Sequence, residues 1–227
     1  MSASCGQPLK TAFCCCVSTK QGPAWILDEC LSEEALEWID AFRLSLPLDS
    51  KRPTVDRRFF CDDKKTLCDS LSRYCVKIPD VERPIASLLE GTLEQYLPVS
   101  STNNGSAICR IFRYQRFIEY TKSGLNLAPH SDGTKICDDT GLASTHTMLL
   151  YLTDCEEGGE TMLLHSITPS VKGSNAHPLS KDNLIFATQP KRGRILLFPH
   201  ATPHAGASVV SIPKICLRAE VRISTLE

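Results

Sequence analysis

The chain has 227 residues, 42% of them hydrophobic and 22% charged, with a formal net charge of -1. That is enough for one domain with a full-sized core, and it gives no overall basic field of the kind that draws a protein to nucleic acid or a membrane surface. No apolar stretch approaches the roughly 20 residues a membrane-spanning helix requires.

Residues 1 to 23 are rich in Ser, Thr and Cys without periodicity and read as a weakly ordered lead-in. The segment Thr11 to Val17 is short, follows a single lysine and lacks a small-residue cleavage site, so it does not read as a secretory signal. A short strand is expected at Ala24 to Leu27. Ser32 then caps a helix that carries Glu33 and Glu34 in its first turn and runs to about Arg43, with Leu36, Ile39 and Phe42 spaced for burial. A basic, proline-containing loop follows around Lys51 to Arg58. Helical patterns return at 64–76 and 84–96, the second closed by Pro98. From Ile108 the texture changes to short β-rich runs at 108–120, 145–153, 160–165, 184–187, 193–198 and 214–223, punctuated by Gly, Pro, Asn and Asp. Ser166 to Ser180 reads as a long loop. Helices followed by many short strands predict an α+β fold, a double-stranded β-helix (jelly roll) buttressed by N-terminal helices. Residues 24–227 are expected to form a single domain, with helical support over 24–105 and the jelly-roll core over 106–224.

The twelve cysteines include no C-x-x-C pair, which argues against a structural zinc site. Cys61, Cys68 and Cys75 recur every seven residues, as on one face of a helix, where reduced cysteine packs as a small apolar side chain. Cys14-Cys15-Cys16 is expected in a loose tail, with acylation as the alternative. This usage suits a reducing cytosol, or the nucleus.

The chemistry concentrates around His130-Ser131-Asp132. Two histidines and one carboxylate on one side of an ion leave its other side open, as a non-haem Fe(II) site requires. On a strand, His130 and Asp132 project from the same face. Pro129 holds the chain extended before His130, and Gly133 permits a turn after Asp132. Two histidines compete for the third position, His200 and His204, both following the Leu196-Leu197-Phe198 strand. Were His204 to fill it, His200 would be left at the mouth or in a surface turn. His146 reads as a core or surface imidazole, and His165 and His177 as peripheral.

The combination Pro129-His130-x-Asp132-Gly133, Leu150-Tyr151-Leu152-x-Asp154 followed by Gly158-Gly159-Glu160-Thr161, Gly193-x-x-Leu196-Leu197-Phe198, and His204-Ala205-Gly206 with a lysine ten residues after His204 resembles the 2-oxoglutarate/Fe(II) dioxygenase superfamily, in its prolyl 4-hydroxylase-like branch. The resemblance covers about residues 108–223. It implies that His130, Asp132 and His204 bind Fe(II) and that Lys214 pairs with the distal carboxylate of 2-oxoglutarate. O2 is then the second cosubstrate, and ascorbate a further candidate. Arg218 lies four residues beyond Lys214 on the same strand face and can supply the same charge, or else a salt bridge to Glu220 or Asp154. Tyr120, or Tyr114 instead, can reach the cosubstrate, and Tyr120 also fits a plain core role. Halogenating relatives lack the carboxylate that Asp132 provides, so hydroxylation is expected.

The branch implies a prolyl residue in a peptide or protein as substrate, with a small molecule as the alternative and no membrane partner. Lys51-Arg52, Arg57-Arg58, Lys64-Lys65, Arg110, Arg113 and Arg116 can grip an acidic peptide, although solvated surface charge is the better account. A nucleic-acid demethylase is the runner-up, opposed by the acidic balance and by the lack of an aromatic-plus-basic stripe. A non-catalytic jelly-roll interaction module belongs to a different class, and such a relative is expected to have lost a ligand that this chain keeps.

Overall fold

The computed structural model describes residues 13–46, 52–53, 59–61, 73–79, 84–97, 107–137, 140–167 and 181–225. Two antiparallel sheets and two helices account for most of them. In chain order the elements are β1 (Phe13–Thr19), β2 (Gly22–Asp28), α1 (Glu33–Ser45), β3 (Arg52–Pro53), β4 (Phe59–Cys61), β5 (Arg73–Pro79), α2 (Pro84–Tyr96), β6 (Ala107–Ile111), β7 (Tyr114–Tyr120), β8 (Leu125–His130), β9 (His146–Tyr151), β10 (Thr161–Leu164), β11 (Leu184–Thr188), β12 (Ile195–Pro199), β13 (His204–Gly206) and β14 (Lys214–Thr225). The larger sheet runs β1-β2-β12-β9-β14-β7-β5-β3, with β6 paired to β14, and the smaller runs β11-β10-β13-β8-β4. This is a jelly-roll-like arrangement. No helix among the described residues is long and apolar enough to cross a membrane.

The burial pattern explains why the sheets face each other as they do. All five residues of β12 are buried, and they alternate between two apolar clusters. Ile195 and Leu197 join a cluster that includes Leu36 and Ile39 of α1 and Ile85, Leu89 and Leu93 of α2. Leu196 and Phe198 join a second cluster with Leu125 and Leu163 of the smaller sheet. Leu150 and Tyr151 of β9 divide in the same way. A strand covered on both faces needs a continuous apolar run rather than an alternating one, and Ile195-Leu196-Leu197-Phe198 supplies it.

The first helix is anchored by chemistry that its sequence announces. Ser32 accepts a hydrogen bond from the Ala35 backbone N–H at 3.2 Å, capping the first turn. Its acidic face is gripped by Arg192, which reaches Glu33 at 2.8 Å and Asp40 at 2.6 Å. Nearby, Arg194 forms a two-pronged pair with Asp28, both contacts at 2.7 Å.

Three expectations are corrected. The lead-in over residues 1–23 contains strand β1 and the start of β2; residues 1–12 lie outside the described set. The two strands pair in continuous register from Phe13 opposite Asp28 to Thr19 opposite Gly22. Gly22, at φ 121°, supplies the turn, and the Thr19 hydroxyl donates to the Gly22 carbonyl at 2.6 Å. Cys14 packs on the helix-side cluster and Cys15 on the inter-sheet cluster, so the cysteine run is part of a strand rather than a tail.

The helix expected at 64–76 gives way at its end to strand β5; residues 62–72 are not described. Tyr74, Val76 and Ile78 alternate with Arg73, Cys75 and Lys77, and β5 pairs with β7 along its whole length, so cross-strand pairing overrides the seven-residue spacing. Cys61 and Cys75 accordingly lie on separate strands, and Cys68 is outside the described residues. Finally, the run at 108–120 is two strands, β6 and β7, and the short strands β3, β4 and β13 went unread. Of the loop at Ser166 to Ser180, residues 168–180 are not described.

His146, on β9, sits against the Trp25 ring at a centroid distance of 5.6 Å and hydrogen-bonds the Thr145 hydroxyl through Nδ1 at 2.7 Å. Burial, reinforced by nearby His200, lowers its pKa to about 4.

Two measurements follow from this packing. Leu89→Ala, at a fully buried position of α2, should lower unfolding free energy by about 2–5 kcal/mol in denaturant titration. Because folded His146 resists the proton that the unfolded chain accepts near pH 6.5, stability should fall as pH drops from about 6.5 towards 4, by at most about 3–4 kcal/mol from this group. H146Q should show a shallower decline of Tm over that interval.

Candidate active site

His130 ends β8 and His204 begins β13, and the antiparallel register sets them directly opposite each other. Their ring centroids are 4.2 Å apart. Each ring is oriented by its own strand: Nδ1 of His130 donates to the Ala128 carbonyl at 2.9 Å, and Nδ1 of His204 to the Thr202 carbonyl at 3.0 Å. A carbonyl can only accept, so each Nδ1 carries the proton and each Nε2 presents a lone pair. Asp132 lies just past the end of β8, where its backbone N–H donates to the His200 carbonyl at 2.9 Å. Its carboxylate faces both lone pairs, Oδ1 at 3.8 Å from His130 Nε2 and Oδ2 at 3.6 Å from His204 Nε2.

The ligand atoms of His130, Asp132 and His204 all lie within 4.8 Å of one another. Donors bound at about 2.1 Å to a common ion stand about 3–4 Å apart, so this set fits a single metal ion with little adjustment. The protonation states fit as well. Burial pushes the Asp132 carboxyl up, but Arg218, His204 and the Thr147 hydroxyl together outweigh it and hold the group well below the usual carboxylate range. Burial, with His130 beside it, lowers His204 to about 4, so its imidazole is neutral at physiological pH.

The three side chains open into a cavity of about 360 Å3 whose lining also includes Tyr120, Lys214 and Arg218. Lys214 stands opposite Tyr120 across the β7–β14 pairing, and its ammonium lies 5.1 Å from the Tyr120 ring centroid. Only 4% exposed, it donates to the Gly159 carbonyl at 2.7 Å. Among the described residues no carboxylate lies within ion-pairing distance of it. That carbonyl belongs to a corner in which Gly158 and Gly159 both take positive φ, 69° and 74°. A Cβ on Gly158 would collide with the Ser208 carbonyl oxygen, and one on Gly159 would stand 3.3 Å from Lys214 Cδ.

Arg218 is placed differently from Lys214. Its guanidinium bridges Asp132 Oδ2 at 3.0 Å and Glu220 Oε1 at 2.8 Å, and Arg116 reaches the same Glu220 oxygen at 3.0 Å. Of the two salt-bridge partners expected, Glu220 is the one found. Asp154 instead accepts from the Arg192 backbone N–H at 2.7 Å.

His200 lines neither the mouth nor a surface turn. It is 4% exposed and bonded to Thr147 and Ser144 behind Asp132, because β12 carries it inward at the strand's end. His165 is exposed beyond β10, and His177 lies outside the described residues. Tyr114 opens β7, but its side chain is not described. Of the basic residues read from the sequence, Arg116 lines the cavity, whereas Arg110 pairs with Glu90 of α2 at 3.5 Å. Lys51, Arg57, Arg58, Lys64 and Lys65 fall outside the described set.

The cavity also takes residues that sequence reasoning did not assign to it. Thr147, Leu149 and Tyr151 alternate along β9 onto one face and all line it, and the Tyr151 hydroxyl donates to Thr161 Oγ1 at 2.7 Å. The available signal was a polar Thr147 beside the apolar run Met148-Leu149-Leu150.

No curated protein matches the chain. Residues 115–221 match the model of the 2OG-Fe(II) oxygenase superfamily. Among solved structures, the chain is similar to a prolyl-4-hydroxylase from Pseudomonas putida, at 14% identity and TM-score 0.51, over 88% of this chain and 91% of that one. It is similar also to the viral collagen prolyl hydroxylase of Paramecium Bursaria Chlorella virus-1 in its 2OG complex, at 18% identity and TM-score 0.50, over 87% and 94%. HygX from Streptomyces hygroscopicus, with nickel, 2-oxoglutarate and hygromycin B bound, shares the fold at 12% identity and TM-score 0.56, over 88% and 82%. The family match spans every residue of the cavity's metal-fitting cluster: residues 115–221 form a 2OG-Fe(II) oxygenase domain, and the protein is an Fe(II)- and 2-oxoglutarate-dependent oxygenase.

Proposed function

We propose that this oxygenase hydroxylates a C–H bond of a prolyl residue in a peptide or protein, with His130, Asp132 and His204 as its metal ligands. The observation that carries the ligand assignment is the convergence of two Nε2 lone pairs and one carboxylate at the edge of a cavity. When bound, iron and 2-oxoglutarate supply oxidative chemistry in which one oxygen atom of O2 enters the substrate and the other enters succinate, with release of CO2. The chain's own part is to hold and orient. The carbonyls of Ala128 and Thr202 fix both imidazoles in the tautomer that keeps Nε2 available. Lys214 offers a buried ammonium to the distal carboxylate of 2-oxoglutarate, while Tyr120 beneath it shapes that end of the cavity. Arg218 is already engaged by two carboxylates, which leaves the anchoring role to Lys214. We read α1 and α2 as the buttress of the larger sheet, since their buried residues share one cluster with it.

The prolyl reading is supported by the motif combination around His130, Gly158-Gly159 and His204 and by a fold shared with prolyl hydroxylases. Hydroxylation of a small molecule is the second reading, favoured by the likeness to HygX. Exposed Gly133 and Lys135 rim the cavity, where either class of substrate would enter.

The test is succinate release from 2-oxoglutarate in the presence of proline-containing peptides, aminoglycosides, free amino acids and methylated oligonucleotides. A prolyl peptide should stimulate release and gain the mass of one oxygen atom; stimulation by small molecules alone would refute the prolyl reading. H130A, D132A and H204A should each abolish substrate-coupled succinate formation. K214M should weaken 2-oxoglutarate binding tenfold or more in anaerobic titration with Mn(II), since a charged hydrogen bond of about 1.5–3 kcal/mol is lost.

A further inference from the structure

The two oxygens of Asp132 are not equivalent. Oδ2 receives the Thr147 hydroxyl at 2.7 Å and the Arg218 guanidinium at 3.0 Å. Oδ1 has no hydrogen-bond donor among the described residues and stands 3.8 Å from His130 Nε2, whereas Oδ2, 3.6 Å from His204 Nε2, is already taken by two donors. Both donors to Oδ2 are themselves held. The other arm of Arg218 is fixed by Glu220, which is 3% exposed and is also held by Arg116.

Thr147 is fixed by a chain of hydrogen bonds whose direction can be worked out. The Lys135 backbone N–H donates to Ser144 Oγ at 2.9 Å, and Ser144 Oγ lies 2.7 Å from His200 Nε2. Nδ1 of His200 lies 2.9 Å from Thr147 Oγ1. The single hydroxyl proton of Thr147 goes to Asp132, so His200 must donate from Nδ1 and accept from Ser144 at Nε2. Every proton in the run therefore points towards Oδ2, and each bond polarises the next.

We infer that Arg218 and Thr147, the latter backed by His200 and Ser144, are positioning residues that occupy Oδ2 of Asp132 and leave Oδ1 as the oxygen open to a metal ion. A carboxylate clamped in this way binds through one oxygen. It cannot swing to bind through both and take up a position that the cosubstrate or O2 needs. The division of labour also explains two cations four residues apart on one strand, one buried and one half-buried: Arg218 serves the metal's carboxylate, and Lys214 is left for the cosubstrate's.

This rests on the ligand assignment proposed above, and the test separates the two. Anaerobic Co(II) titration of the full-length protein, without 2-oxoglutarate, reads affinity and the d–d absorption bands. T147V, close in shape to the native residue, should weaken Co(II) binding about 10–100-fold and change the bands, whereas T147S, which keeps the hydroxyl, should behave as wild type. R218M/E220Q removes the guanidinium without stranding Glu220 as a charge beside Arg116 alone, and should act in the same direction. Were this double variant not to fold, the T147V and T147S pair decides the matter. Wild-type affinity and bands in T147V would overturn the positioning role, provided H130A and D132A lose Co(II). Undiminished binding in H130A and D132A would instead overturn the ligand assignment itself.

Discussion

The site depends on one strand pairing. β8 and β13 run antiparallel with His130 and His204 as opposite partners, which turns two residues far apart in sequence into neighbours on one face. A slip of one residue would turn one imidazole to the other side of the sheet and dissolve the cluster. Several neighbours guard that register. β13 also pairs with β10, where His204 lies opposite Leu163, and β8 pairs with β4. Leu163 of β10 and Leu125 of β8 itself are buried in the inter-sheet cluster.

Behind the histidines lies a compact group of buried charges. Taking Asp132 and Glu220 out of water is costly, and two guanidiniums are needed to offset it. A hydrophobic quartet of similar volume would satisfy the core at least as well, so the arrangement makes sense through what it does for the cavity. It keeps one carboxylate ionised and fixed while the neighbouring His204 imidazole stays neutral. Those opposite demands are met because burial acts on all of these groups alike, while the guanidinium sits against the carboxylates only.

Much of this was legible in the residues, for identifiable reasons. His130 and Asp132, set off by a short spacing with flanking Pro and Gly, and His204 and Lys214, singled out by the family resemblance, all line one cavity. The helices at Ser32 and Pro84 announced themselves through a cap and an apolar period. What could not be read was set by partners distant in sequence. Arg73–Pro79 carries a spacing compatible with a helix and becomes a strand because β7 is there to pair with it. Cys14 and Cys15 look like tail residues until β2 folds against them. His200 looked like a rim residue, since nothing in its neighbourhood reveals Thr147 and Ser144 waiting across the sheet.

The corner at Gly158 and Gly159 has a practical bearing on how such an enzyme could be re-engineered. Side chains around Gly133 and Lys135 face solvent and leave latitude for redesigning what is admitted. At the corner, even a methyl group would displace the Ser208 peptide on one side or the Lys214 stem on the other. Attempts to retune substrate choice can therefore work from the rim inwards, but they must stop short of this bend, because a change made there would shift Lys214, whose ammonium the bend holds at the cavity wall.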